Sequence, residues 1–235
     1  MKLIDLFEDQ QHQTNGSTTN FSGRFRQSKA AFSDPKSGAF SSVKDDKRDP
    51  HMVKKYHHGP MEDDTPEAEV GEDAYVYFAQ WLADQNVTNP HMPRIYDIKK
   101  IQDSTGKFIY KYQVEKLNSA TELGLEELMN VFGQHFVSDT TAQQVADELD
   151  FESGVDTPDN KKILIHVMGR FCEDMVKQGS KNIKSDSLRE ALMLIQKFLK
   201  DHKGKMFSLD IENSGNIMFR RGPHGLQLVI TDPVS

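Results

Sequence analysis

The chain has 235 residues, 36% of them hydrophobic, and a formal net charge of −7. That is enough for one ordinary domain or two small lobes, with part of the chain left outside the core, and the interleaved charges offer no broad basic face for nucleic acid. A single cysteine, Cys172, excludes an intramolecular disulfide and a cysteine metal cluster; no apolar run reaches the roughly 18 residues that span a bilayer and no secretory-signal layout opens the chain, so a reducing, cytoplasmic setting without a membrane partner is predicted.

Residues 1–31 are predicted to be disordered, because a tract rich in Gln, Ser, Thr, Asn and Gly cannot offset its ordering entropy. The short apolar stretch Leu3, Ile4, Leu6 and Phe7 reads as a frayed terminus or as a docking peptide on a flexible linker. Residues 32–58 read as strand, turn, strand: a loop at 34–38, a strand entering at 39–43, a solvated tip across Lys44 to Arg48, and a returning strand at 52–56. An acidic loop at 59–71 precedes a helix at 72–85, where Tyr75, Phe78, Trp81 and Leu82 form one apolar stripe and Trp81 belongs to the core. The prolines of 89–93 break that helix, and two alternating strands follow at 94–101 and 107–117, joined by a turn at 104–106. Helices are predicted at 121–136, 140–149, 159–178 and 186–202, the last with Leu188, Ala191, Leu192, Ile195 and Leu199 on one face. A polar turn, a strand, a hairpin through Arg220 and Arg221, and a second strand at 226–230 close the sequence.

Those last residues carry the chemistry. The turn, strand, hairpin, strand order brings Asp210, Asn216 and Asp232 to one end of a small sheet, where they can share a metal-bound polyphosphate. Near the start, the run Lys36-Ser37-Gly38-Ala39-Phe40-Ser41-Ser42-Val43 is a small-residue turn whose backbone N–H groups can approach phosphate oxygens. A strand lysine follows, Lys54 or Lys55, and a lysine facing phosphate needs an acid to hold it. Glu72 at the helix start is one candidate, and a partner for the helix dipole is its other reading. The adjacent His57 and His58 point to opposite faces of a strand and are no metal pair. Cys172 reads as a buried small hydrophobe.

The order of these elements resembles the protein kinase fold over residues 32–235, in the short form of kinase-like proteins from bacteria and bacteriophages. Gly38, Phe40 and Val43 match positions of the family's Gly-rich loop, with Lys36 and Ser41 in place of two glycines. Met52-Val53-Lys54-Lys55 resembles the lysine strand: Lys55 then pairs with phosphate and Val53 lies against the base, while a one-residue shift selects Lys54. Residues 89–98 resemble the segment between the helix and the fourth strand, and 113–117 the hinge, with Glu115 and Leu117 at the adenine. Residues 210–216 resemble the catalytic loop, and Asp232-Pro233-Val234 the magnesium-binding triplet.

The resemblance implies an α+β, two-lobed fold: an antiparallel-sheet lobe over 32–117 and a reduced helical lobe over 118–235. It implies ATP and Mg2+ as cofactors, with Asp210 orienting a hydroxyl, Lys55 holding phosphate, Glu72 holding Lys55, and Asn216 and Asp232 holding the metal. Gly38, Ala39, Phe40, Ser41, Val43, Val53, Lys54, Glu115 and Leu117 would surround the nucleotide. The implied activity is transfer of the γ-phosphate to a hydroxyl, on a protein Ser or Thr, in the cytoplasm (the host's, for a viral protein). The alternative is an inactive pseudokinase that holds a partner or joins a virion. Departures bear on that choice. Ser208 replaces the loop's histidine, Asp210 lies one residue too far from Asn216 so that Glu212 competes for its role, Pro233 and Val234 replace Phe and Gly, and the given sequence ends at Ser235 before any activation segment.

Overall fold

The computed structural model describes residues 36–37, 41–57, 74–102, 106, 108–136, 156–205, 207–223 and 225–235. The expectations for 1–31, for Gly38, Ala39, Phe40 and Glu72, for the acidic loop and for a helix at 140–149 fall outside them. The architecture is α+β, with a small antiparallel sheet and four helices among the described residues.

The sheet contains β1 (Lys36–Ser37), β2 (Ser41–Asp45), β3 (Met52–His57), β4 (Ile95–Gln102) and β5 (Phe108–Glu115), in the order β1-β2-β3-β5-β4. Lys36 and Ser37, expected in a loop, instead pair with Val43 and Ser42, so residues 38–40 connect two paired strands. The tip between β2 and β3 also differs from expectation. Asp46 is buried at its centre rather than solvated, and its carboxylate accepts from the Arg48 backbone at 3.0 Å, Lys54 Nζ at 2.8 Å and Gln113 Nε2 at 2.6 Å. These donors, Lys54 first, hold its pKa down to about 2. At the far hairpin Gly106 takes φ +84°, which a Cβ would strain, and its carbonyl accepts from Gln102 Nε2 at 3.0 Å.

Helix α1 (Ala74–Asp84) lies between the sheet and the helical part of the chain. Tyr75 meets Tyr112 of β5 at 5.7 Å between ring centroids, while Phe78 and Trp81 pack on Phe198 from the other side. The helical part holds α2 (Leu125–His135), α3 (Pro158–Gln178) and α4 (Asp186–Asp201). α3 starts where the Thr157 hydroxyl accepts from Asn160 N at 3.2 Å with Pro158 in the first turn, and ends on Gly179 at φ 70°. Ser185 caps α4, whose buried face includes Phe198, with Leu199 at its margin. Cys172 is wholly buried on α3, and desolvation drives its thiol pKa far upward, which makes it inert packing.

A last hairpin, β6 (Ile217–Gly222) and β7 (Gly225–Ile230), ties the halves together. Asn118 and Phe219 exchange backbone hydrogen bonds at 2.8 and 2.9 Å, and Ile230 N donates to His91 O at 2.9 Å. Arg220 reaches Glu115 Oε2 through Nε at 2.7 Å, pairs with Oε1 through its second arm, and donates to the carbonyls of Pro90 at 2.6 Å and Met92 at 3.0 Å. Sequence reading placed Arg220 in a hairpin turn; it is instead the centre of this joint. Beside it, His91 Nδ1 donates to Leu228 O at 2.9 Å, because a carbonyl can only accept, and Nε2 then accepts from Ser187 Oγ at 3.0 Å. His135 stands edge-on to it at 4.8 Å, with both ring nitrogens buried and without a hydrogen-bond partner among the described residues.

Two predictions follow from the joint. Arg220 and Glu115 are 15% and 10% exposed, and removing one partner of a shielded pair strands the other, so Arg220→Ala should cost about 3 kcal/mol in a denaturant melt. Burial lowers the pKa values of His91 and His135 to about 4. Between that value and the unfolded value near 6.5 the unfolded chain binds more protons. Stability should therefore be full above about pH 6.5 and fall by about 1.4 kcal/mol per pH unit per histidine as pH drops toward 4. His135→Leu should leave neutral-pH stability intact and halve that slope in melts across the same range.

Candidate functional site

Alternation along β3 decides which lysine turns inward. Lys55, opposite Val43 on one side and Tyr112 on the other, faces α1 and the closing hairpin. Its Nζ lies 4.1 Å from the Tyr75 ring centroid and 3.2 Å from Asp232 Oδ2, a contact across 177 residues of sequence. The two side chains are 14% and 28% exposed, so the pair is shielded yet reachable. Lys54 turns to the other face and is spent on Asp46. Val53 shares the inner face with Lys55 and is half-buried, as is Val43.

Asp232 follows β7 directly. Its neighbours form a short ladder with the polar turn: Ser208 N donates to Ser235 O at 2.8 Å, Ser235 N to Ser208 O at 3.0 Å, and Asp210 N to Pro233 O at 3.0 Å. That ladder holds Asp210 beside Asp232. Asn216 closes the turn, its buried amide donating to the Asp210 carbonyl and to Asp210 Oδ2 at 3.1 Å, while its own carbonyl accepts from Thr231 N at 2.8 Å. The extra residue between Asp210 and Asn216 is taken up by a turn in which Asn216 N donates to Asn213 O at 2.8 Å. Asp210, rather than Glu212, faces Asn216. Its pKa is raised above the usual carboxylate range, chiefly by burial and further by the Asp232 and Glu173 charges, against the opposing Asn216 bond.

Sequence reading missed what supports the turn. On α3, Glu173 Oε1 accepts from Ile211 N at 3.0 Å and Glu212 N at 3.2 Å, and its other oxygen pairs with Lys177. One helical turn earlier, a Cβ on Gly169 would lie 2.7 Å from Ile211 O and 2.8 Å from Glu212 Cα. Gly169 and Glu173 thus form a shelf on which the turn rests. The signal was present: a glycine inside an apolar helical run costs helix stability and calls for a packing reason, and an acid followed it one turn later.

At the expected hinge, the Glu115 carboxylate is committed to Arg220 and to the Arg94 N–H at 2.8 Å. Glu115 N and Lys116 N donate to Arg94 O and His51 O. Leu117 is half-buried just beyond them. Ser41 enters β2, while Gly38, Ala39, Phe40 and Glu72 lie outside the described residues. A cavity of about 700 Å³ lies elsewhere, between the end of α1 and β4.

Among the described residues no group of three or more His, Cys, Asp or Glu side chains is arranged for a metal. The Asp232 carboxylate, beside the turn that Asn216 closes, is nonetheless a donor that suits Mg2+, which commonly takes one or two carboxylates with phosphate and water completing its shell. No protein-family model, no curated protein and no solved structure matches this chain.

Filling the shelf should disturb the turn selectively. Gly169→Ala should destabilise by about 1–3 kcal/mol through overpacking. Gly133→Ala, in α2 with no atom within 4 Å of the new methyl, should be neutral or stabilise by up to about 1 kcal/mol. Paired thermal melts of the two variants check this.

Proposed function

We propose that the chain is a kinase-like phosphotransferase whose nucleotide site centres on Lys55, Asp210, Asn216 and Asp232. The observation that carries the reading is the 3.2 Å contact between Lys55 and Asp232, two groups from opposite ends of the sequence brought to one shielded place. The antiparallel sheet with its paired β1–β2 connection, the helix beneath it and the polar turn before the last hairpin support the same reading.

In this reading Lys55, steadied by the Tyr75 ring, neutralises phosphate oxygens as an inward-facing point charge. Leu117 and the inner-face residues Val43 and Val53 border the base. Magnesium would supply charge neutralisation at the phosphates, and Asp232 and Asn216 would hold it. Asp210 orients the acceptor hydroxyl, and its raised pKa suits a carboxylate that receives a proton from that hydroxyl. Most of the work is positioning, which the Gly169–Glu173 shelf and the Ser208–Ser235 ladder provide.

A second reading, a nucleotide-holding or partner-holding module without transfer, is favoured by one observation: the Asn216 amide and the Asp210 carboxylate are already engaged with each other. The two readings separate in one experiment. With labelled ATP and Mg2+, the first expects Mg-dependent binding and transfer to protein in a cell lysate. Lys55→Met and Asp232→Asn should each weaken ATP binding about ten- to a hundredfold, the loss of one charged interaction of about 1.5–3 kcal/mol. Binding without transfer selects the second reading, and absence of ATP binding by calorimetry overturns the nucleotide role in both.

A further inference from the structure

The face of the sheet opposite Lys55 carries a second arrangement of charge. Strand register sets Lys44 directly across from Lys54, and Lys99 directly across from Lys111, on this one outer face. Like charges facing each other across strands are destabilising, and a chain of net charge −7 has acids to spare for them. Instead the face gathers cations: Arg48, Lys54, Lys99 and Lys111 line a cavity of about 390 Å³. The interleaving of charges along the sequence conceals this cluster, because only the fold brings the β2–β3 tip, β4 and β5 together.

Two carboxylates also line the cavity, and both are used internally. Asp46, its side chain 2% exposed, is held by Lys54 and Gln113. Asp97 turns its carboxylate onto Lys99 at 2.6 Å from a backbone at φ 54°, a left-handed conformation at the irregularity in the β4–β5 pairing. Among the described residues, four cations against two acids leave two positive charges on the cavity wall. Lys54 and Lys99 are the matched pair of cations. Arg48 and Lys111 carry the excess, and neither side chain forms an ion pair among the described residues.

We infer that this cavity is an anion site that takes a phosphate-bearing ligand, held by Arg48 and Lys111. Two uncompensated cations match a phosphate dianion, and a guanidinium presents the planar fork that phosphate oxygens accept in pairs. The Asp46–Lys54–Gln113 network fixes the cavity floor, so the site is organised before the ligand arrives. The phosphate can come from a free oligophosphate or from a phosphorylated side chain on a partner protein. Because Lys54 and Lys55 point to opposite faces, this site stands or falls independently of the one proposed above.

The test is a titration of 15N-labelled protein, followed by amide chemical shifts, with three probes: sodium tripolyphosphate, a phosphoserine peptide and the same peptide with serine. Saturable shifts are expected at Arg48, Lys99 and Lys111 with the first two probes and not with the third. The double variant Arg48→Ala with Lys111→Ala, both at solvent-accessible positions, should weaken binding at least tenfold while its thermal melt stays unchanged. Tighter binding of tripolyphosphate points to the free source and tighter binding of the phosphopeptide to a modified partner. Shifts confined to Lys55 and Asp232, equal affinity in the double variant, or no saturable shift with either phosphate probe would overturn the inference. Should the variant melt early, the shift map of the unaltered protein decides alone.

Discussion

The phase of one strand organises this molecule. Because side chains alternate across a sheet, two adjacent lysines on β3 are forced apart. Lys55 goes inward to Tyr75 and Asp232, and Lys54 goes outward to Asp46. A slip of one residue in β3 would exchange them and bury the wrong amine. The register is therefore pinned twice, once by the buried Asp46 network at the β2–β3 tip and once by the aromatic contact beneath β5.

That inward lysine meets its partner only because the closing hairpin is fixed relative to the sheet. The fixing is done by polar groups out of water. Arg220 gathers the Glu115 carboxylate and two carbonyls from the 90–92 segment, and His91 spans from β7 to the start of α4. Polar clamps of this kind contribute little net stability compared with apolar packing of the same volume, but they define position sharply, since each donor has one place to go. The 210–216 turn is placed in the same manner, by Glu173 accepting two backbone N–H groups and by the gap at Gly169.

The secondary structure was largely legible because its signals are local. The Tyr75, Phe78, Trp81 and Leu82 stripe is α1, the capped and proline-started run is α3, and the alternating runs are β4 and β5. The candidate site was legible in part: the order of elements singled out Lys55, Asp210, Asn216 and Asp232, and the fold brings Lys55 to Asp232 and Asn216 to Asp210. What escaped depends on distant partners. Asp46 looks like any acid in a charged tip until Lys54 and Gln113 surround it, and Arg220 looks like a turn residue until Glu115 arrives from more than a hundred residues earlier. The two-residue strand β1 has no periodicity to read and exists only through its pairing with β2.

The charge balance at the centre is what gives the site its chemical character. Glu173 is matched by Lys177 on the same helix, while Lys55 pairs with Asp232, whose charge also reaches Asp210. The pKa of Asp210 is raised chiefly by its burial and further by the neighbouring Asp232 and Glu173 charges. Such a site relaxes in one of two ways, by taking up a proton or by taking up a cation. A proton would satisfy Asp210 alone. A divalent cation held by Asp232 would release Lys55 toward an anion, so metal and polyphosphate would each favour the other's binding. Mutual dependence of that kind is the behaviour expected of the proposed nucleotide site.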